Sequence, residues 1–360
     1  MTGEAQDRRV LPKDLLGCQR GSRFVLDGFR IGPQGATGVF GHPKLSAFIA
    51  RCTDLSLRGN RIGDAGLQAL SRSPIATALT DLDLTDCAIT EAGLPFLDAF
   101  TALKRLSLAE NPLGADGART LAALDLAPRL DELTLDRTNL GADGLAQLRK
   151  RLTVAHLSVA HCGIDGTLGG TGGTLRPSGS LQLGGNPLGD AGASALVGWG
   201  AAPVQLSLHF TGLTDSGLDA LHRGGLLGRV VYVDLRGNDL SAERIGQVTF
   251  RDGAVVKLPA RIAYDRFHAL RKAAPDVRYL FGGIDPEYVL ACPYCREPVA
   301  LTDALCPSCD GDTTLDAAYE EPEGYAPDRS ATCPHCDARI ASGASRCRAC
   351  QSWLPKGEVR

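Results

Sequence analysis

The sequence predicts an α/β solenoid of about nine strand–turn–helix coils, followed by two small four-cysteine modules. Three observations carry that expectation. An anchor position recurs every 24 to 31 residues from Phe29 to Asn238. Around it the apolar pattern switches from strand alternation to helical spacing. Near the end of the chain, CxxC pairs return at matched distances.

The anchor column contains Phe29, Asn60, Cys87, Asn111, Thr138, Cys162, Asn186, Thr211 and Asn238. Upstream of most of them stand two alternating apolar residues, such as Leu55 and Leu57, Leu133 and Leu135, or Val233 and Leu235. That is a short strand with one buried face. Downstream, apolar residues fall at offsets +2, +7 and +10, as in Ile62, Leu67 and Leu70, or Leu213, Leu218 and Leu221. Glycine recurs at +6 (Gly66, Gly93, Gly117, Gly144, Gly192, Gly217), usually after an acidic residue such as Asp64, Glu91, Asp116 or Asp143. An acid at a helix start is expected to accept orphaned backbone N–H bonds there. A unit this short cannot bury its apolar face alone, whereas stacked units share a continuous core. The anchor asparagines are expected to satisfy backbone groups at the strand exits, since a buried amide offers both donor and acceptor. Cys87, Cys162, Thr138 and Thr211 are weaker substitutes.

These residues resemble the ribonuclease-inhibitor type of leucine-rich repeat, most clearly in CTDLSLRGNRIGDAGLQAL from Cys52. The resemblance covers roughly residues 22–250. It implies a horseshoe with parallel strands on the concave wall, helices on the convex side, and protein binding on the strand wall. Two departures stand out. The coil of Phe29 looks like an N-terminal cap, and the coil of Cys162 continues as GIDGTLGGTGGTLRPSGS without a helical pattern. There Gly169 and Gly172 occupy the two apolar helix positions, so this coil is expected to be the soft point of the array. The glycine-rich stretch lacks the Lys-Ser/Thr ending and following helix of a phosphate loop, and reads as a flexible convex loop.

The expected organisation is an N-terminal tail (1–21), the solenoid (22–253), a C-terminal cap (254–290), paired ribbons (291–354, at 292–309 and 333–350) and a short tail (355–360). Both ribbons read C-x2-C-x10-C-x2-C, through Cys292, Cys295, Cys306 and Cys309, then Cys333, Cys336, Cys347 and Cys350. Each CxxC can aim two thiolates at one metal, and two such knuckles supply four ligands, the set of a closed tetrahedral zinc site. Units of about 18 residues have little core, and structural zinc contributes roughly 10–16 kcal/mol apparent. The tandem resembles the double zinc ribbon family. That resemblance assigns the first four cysteines to one metal and the last four to another, giving two structural Zn2+ per chain and leaving His335 a non-ligand. Iron shares this ligand set, and the sequence does not separate the two. A thioredoxin-like redox pair lacks its βαβ context. The acidic stretch TTLDAAYEEPEGYAPDRSA between the ribbons reads as a mobile linker.

Function classes follow. Net charge is −3 with pI near 6.2, which gives the whole chain no bias toward nucleic acid or anionic membrane. From Cys292 to Thr332 there are two basic and nine acidic residues, a poor surface for phosphates. The N-terminus has no stretch of secretory length and no run reaches a membrane span, so a cytoplasmic, monomeric protein is expected. No Ser-His-Asp signature, Walker loop, HExxH or dinucleotide fingerprint appears, so no enzyme is expected. The wall residues Asp54, Asp81, Asp83, Arg105, Glu132, Asp136, His156, Gln182, His209, Tyr232 and Asp234 are the candidate partner-binding set. Their early members are acidic and should attract a basic segment of a protein partner, with Asp83 and Asp136 as steering charges and Asp98 outside on a helix. The expected role is a non-catalytic scaffold or adaptor. The alternatives are a nucleic-acid-associated regulator working through the ribbons and an adaptor of a larger enzyme complex. Cys52, Cys87 and Cys162 read as inert core thiols.

Overall fold

The computed structural model describes residues 18–42, 52–168, 170, 173–201, 203–258, 270, 274, 276–281, 290–291, 298–299, 331–332 and 339–340. The chain divides into two units, residues 1–256 and 257–360.

The first unit is the coil array. β1 (Gln19–Arg20) pairs antiparallel with β2 (Arg23–Val25), so the capping hairpin begins inside the segment expected to be a tail. From β2 onward every strand pairs in parallel with the next: β3 (Asp54–Ser56), β4 (Asp81–Asp83), β5 (Arg105–Ser107), β6 (Glu132–Thr134), β7 (His156–Ser158), β8 (Ser180–Gln182), β9 (Gln205–Ser207) and β10 (Tyr232–Asp234). β11 (Val255–Leu258) follows, with Val255 N–H donating to Val231 C=O at 2.8 Å. The pairing has no slip. Leu55, Leu82, Leu106, Leu133, Leu157, Leu181, Leu206 and Val233 stand opposite one another strand by strand and are all buried. One face of each strand is dry, which specifies register because a one-residue slip would turn every leucine to solvent.

The connections carry helices α1 (Gly32–Gly41), α2 (Gly63–Ser71), α3 (Gly114–Ala123), α4 (Gly141–Arg149), α5 (Gly189–Gly198), α6 (Asp215–Arg223) and the short α7 (Ala242–Ile245). The coil of Cys87 has a 3-10 helix instead, Glu91–Ala99, with Pro95 inside it. Proline lacks the N–H that an α-helical interior needs, and the tighter turn accommodates it. The coil of Cys162 has no helix among its described residues, as its glycines predict.

The anchor column is buried from Asn60 to Asn238. Asn111 shows its chemistry fully. Its Oδ1 accepts from Cys87 N (3.1 Å) and Ile89 N (2.9 Å) of the preceding coil, while Nδ2 donates to Leu84 O (2.8 Å) and Leu108 O (2.9 Å). Asn186 and Asn238 repeat the pattern toward the coils of Cys162 and Thr211. Cys87 and Cys162 donate through sulfur to Leu57 O (3.1 Å) and Leu135 O (3.0 Å) of the preceding coil. Thr138 and Thr211 donate to the carbonyls of Leu135 and Leu208 in their own coils, at 2.6 and 2.7 Å, and their hydroxyls also meet the next anchors, Cys162 Sγ at 3.7 Å and Asn238 Oδ1 at 3.2 Å. The three core thiols Cys52, Cys87 and Cys162 are fully buried, and burial pushes the Cys87 thiol up to about 12. Thiolate chemistry is suppressed there.

One expectation is corrected. The acids in the first helical turns do not cap their own helices: α2, α3, α4 and α5 have no side-chain cap bond. Instead Asp64 accepts from Thr90 N (2.8 Å) and Oγ1 (2.6 Å) of the next coil, Asp190 from Thr214 N (2.9 Å) and Oγ1 (2.7 Å), and Asp215 from Ser241 N (2.8 Å) and Oγ (2.6 Å). The hydroxyl-bearing position in turn caps its own helix, as Thr90 does for Ala92 N. A Cβ at Gly93 or Gly217 would strike the Asp64 or Asp190 carboxylate. Those two recurrent glycines therefore leave room for the coil-to-coil bond.

The second unit contains β12 (Arg278–Phe281) and two hairpins. β13 (Leu290–Ala291) pairs antiparallel with β14 (Pro298–Val299), and β15 (Ala331–Thr332) with β16 (Arg339–Ile340). All eight ribbon cysteines lie outside the described residues. In both hairpins, however, the first strand ends immediately before the leading Cys of a CxxC and the second begins three positions after its trailing Cys.

Candidate partner-binding face

The strand pairing sets the expected wall residues in ladders. Arg23, Asp54, Asp81, Arg105, Glu132 and His156 stand side by side at the first strand position, and Ser180, Gln205 and Tyr232 continue the row. Asp83, Gln182 and Asp234 occupy the third position of their strands, whereas Asp136 and His209 stand just beyond theirs.

The acidic half is largely compensated from within. Arg105 pairs with Asp81, and Arg23 pairs with Asp54 at 3.4 Å. Burial nonetheless raises the Asp54 carboxyl above its ordinary value, with Arg23 opposing. Asp83 accepts from Thr85 N at 2.9 Å, and Asp136 accepts from Ser158 Oγ at 2.6 Å and Ala160 N at 2.8 Å. Asp27 similarly binds Ser56 Oγ and Arg58 N. These carboxylates satisfy strand-exit donors. Asp83 and Asp136 are consequently stability residues as well as surface charges. Glu132, half-buried, is the wall acid left without such a tie. Asp98, expected to be idle on the outside, accepts from Leu126 N at 3.0 Å and ties two coils together.

The other half differs in kind. Asp234 is only 4% exposed and is held in a fork by Arg236, Nη2 to Oδ2 at 2.6 Å and Nε to Oδ1 at 2.9 Å. Burial alone would raise its carboxyl, but the Arg236 fork keeps it below the usual carboxylate range. His156 bonds Ser180 Oγ at 3.0 Å and His209 bonds Ser207 Oγ at 2.7 Å. His209 meets His161 edge-on (centroids 6.3 Å) and Phe210 edge-on (6.0 Å). Phe210, at 65% exposure, and Val204, at 45%, are the large hydrophobic side chains left open among the described residues. They bracket β9.

A ledge that periodicity did not reveal runs along the strand exits. The residue just before each anchor has positive φ: Gly28, Gly59, Asp86, Glu110, Arg137, His161, Gly185, Phe210 and Gly237. Side-chain-bearing residues there cost about 1–2 kcal/mol relative to a right-handed backbone. The rings of His161 and Phe210 lie across Gly185 and Gly237 of the neighbouring coils, where a Cβ would collide with them. The only sequence signal was the glycine at this position in four of the nine coils.

On the opposite side, the missing helix is replaced by a plug. Leu168, immediately before the first expected helix position, and Leu175, three residues beyond the second, are fully buried. Arg149, at the end of α4, is 2% exposed and donates through Nη1 to Leu168 O (3.2 Å) and Gly170 O. Its guanidinium lies 4.4 Å from the ring centre of Trp199, which is 1% exposed and follows α5. Among the described residues Arg149 Nε and Trp199 Nε1 have no hydrogen-bond partner. Burial, with Arg176 adding repulsion, lowers the Arg149 value.

Comparison with known proteins places this architecture among leucine-rich repeats. A leucine-rich repeat family model matches residues 53–71, 77–94, 101–122 and 180–197. The chain is 33% identical over 205 residues to ribonuclease inhibitor of Sus scrofa, a match covering 54% of this chain and 40% of that protein, so the chain spans about two fifths of its relative. These two matches support a leucine-rich repeat of the ribonuclease-inhibitor type. Among solved structures, a chain of the yeast Rad7–Elc1 complex is similar at 12% identity (TM-score 0.43, 73% of this chain and 76% of that one). An internalin of Listeria monocytogenes is similar at 15% identity (TM-score 0.32, 77% and 90%). Among the described residues no helix is long and apolar enough to cross a membrane.

Proposed function

We propose that this chain is a non-catalytic scaffold whose strand face holds a protein partner, with two zinc ribbons as a structural docking module. The observation that carries it is the gap-free ladder of paired strands, whose exposed side chains are fixed by neighbouring coils and by the buried anchors. Rigid presentation lowers the ordering cost of binding, and an open sheet suits a polypeptide better than an enclosed small molecule. Its likeness to ribonuclease inhibitor, a protein named for what it binds, agrees. The test is association of a captured partner with variants of the two faces. Glu132→Lys with Gln182→Lys should slow association at unchanged stability, whereas Glu91→Lys, on the exposed start of the 3-10 helix, should leave it unchanged. Equal effects would remove the strand face from the proposal.

For the ribbons, support comes from the repeated hairpin register around both leading CxxC pairs. The same turn in the same frame suits a two-cysteine knuckle, and eight cysteines suit two tetrahedral metals. Elemental analysis of the purified chain should give about two zinc per chain from the eight thiolates. One or none would remove the paired ribbons, and iron would replace the metal. Binding of DNA or RNA that weakens steeply with salt would move the proposal to nucleic acid.

A further inference from the structure

We infer that the partner's contact segment runs along the strand-exit ledge as an extended chain, with an aromatic or aliphatic anchor at Phe210, a carboxylate over Arg137 and a basic residue over Glu110. This rests on the scaffold proposal above and names the partner's chemistry.

The ledge positions share one backbone state, so their side chains leave the sheet from equivalent points of successive coils. At Gly28, Gly59, Gly185 and Gly237 the chain uses the residue that this state prefers. At Glu110, Arg137 and Phe210 it carries instead an acid, a base and an aromatic ring, all exposed. Their backbone N–H groups donate to Asp136 O (2.8 Å) and Ala160 O (2.9 Å). Within the described residues, however, neither the Glu110 carboxylate nor the Arg137 guanidinium forms a hydrogen bond or ion pair, so internal contacts do not account for these side chains. Phe210 is the most exposed large hydrophobic residue described. Its ring leans on Gly237 and meets His209 edge-on. Around it the face offers Gln182, Gln205 and imidazoles, and its one acid, Asp234, is buried under Arg236. Apolar exposure ringed by uncharged polar groups is the composition of an interface centre.

Spacing turns the ledge into a code. Phe210 and Arg137 lie three coils apart, and Glu110 one coil further. Neighbouring strands are about 4.8 Å apart, so the charges stand roughly 14 and 19 Å from the ring. An extended chain advances about 3.3 Å per residue. The complementary segment therefore places its acid about four residues from the anchor and its base about six, in either chain direction.

The probe is a phage-displayed library of random 12-mer peptides, panned on the immobilised full-length chain. Enrichment should converge on an apolar anchor, an acid four positions away and a base two beyond. Phe210→Gly should weaken a selected peptide by roughly tenfold or more without lowering Tm, because glycine suits that backbone. Arg137→Glu should reverse the preferred charge at the fourth position. Loss of the spacing, indifference to both variants, or a fall in Tm for Phe210→Gly would overturn the inference, and so would failure to select any peptide. Peptides that respond only to Glu132→Lys with Gln182→Lys would sink the ledge and leave the strand-face scaffold standing. Peptides indifferent to every strand-side change would sink both.

Discussion

The coils of Asn111 and Cys162 solve the same packing problem with different materials. In the first, an amphipathic helix lays Leu121 into the shared core, and Ala118 and Ala122 pack beside it. In the second, no helix forms among the described residues, yet the core stays closed. Ile164, Leu168 and Leu175 are buried, and a cation from one neighbouring coil stacks on an indole from the other. A stacked array requires a filled layer between coils, and helix geometry is one way to fill it. The two differ in reserve. The helical layer is apolar throughout, whereas the plug buries a guanidinium that has no carboxylate partner among the described residues and is stabilised by carbonyls and a π-face. Such a charge is costly once its cover is removed.

The largest expected effect follows from that. Trp199→Ala should cost about 3–5 kcal/mol in chemical denaturation, as other buried indoles do, and should expose Arg149 as well. A loss under about 1 kcal/mol would mean that the coils close without the plug. Next comes the anchor column. Asn111→Ala strands the N–H groups of Cys87 and Ile89, at about 1–3 kcal/mol for each. Thr211→Ala removes only hydroxyl bonds and should cost about 0.5–1.5 kcal/mol. Equal losses would show that backbone satisfaction is not what the asparagines supply.

A local effect distinguishes plug from loop. The sequence marks residues 163–180 as the soft point of the array, which predicts fast amide exchange throughout, whereas the hydrogen bonds predict a pattern. Thr174 N and Gly179 N donate to Arg149 O (2.7 Å) and Ala155 O (2.8 Å) and should exchange slowly. Arg149→Met keeps the stem but loses the bonds to Leu168 and Gly170, and should speed exchange at Thr174 with little change at Asn111. Fast exchange at Thr174 and Gly179 in the unaltered chain would remove the plug as a fastening.

The smallest effect belongs to pH. Burial holds the imidazole of His209 below the ordinary histidine value of 6.5, with Asp234 and Asp136 opposing and Arg236 and His161 assisting. A base depressed in the folded state takes up its proton more readily when unfolded. Its contribution is therefore full above that ordinary value and declines as pH falls below it. His209→Gln should flatten this part of the Tm-against-pH curve, and an unchanged curve would assign the dependence elsewhere.

Much of the array was legible in the sequence because its rules are local. Leu133 and Leu135 mark strand β6, and Leu145 and Leu148 mark the helix behind it. What escaped is relational. The Arg149–Trp199 contact joins residues fifty positions apart with no periodic partner. The crossing of Asp64 to Thr90 is invisible in either coil alone, and helix-end chemistry suggested a plausible but incorrect acceptor role. The candidate site was legible as a set of wall positions. Which acids were already occupied was not, since several are held from a neighbouring coil, as Asp54 is by Arg23, Asp81 by Arg105 and Asp136 by Ser158 and Ala160.

The anchor column also records a phase. Asparagine alternates with Cys or Thr through Asn60, Cys87, Asn111 and Thr138, then again through Cys162, Asn186, Thr211 and Asn238. The rhythm breaks between Thr138 and Cys162, one coil boundary from the lost helix. In the later three cases each asparagine accepts from both backbone donors of a Cys or Thr coil before it. The unit of the amide clasp is accordingly a couplet. Lengthening or shortening the solenoid by whole couplets preserves every amide clasp, and a gene divided at the break leaves two halves with their clasps complete.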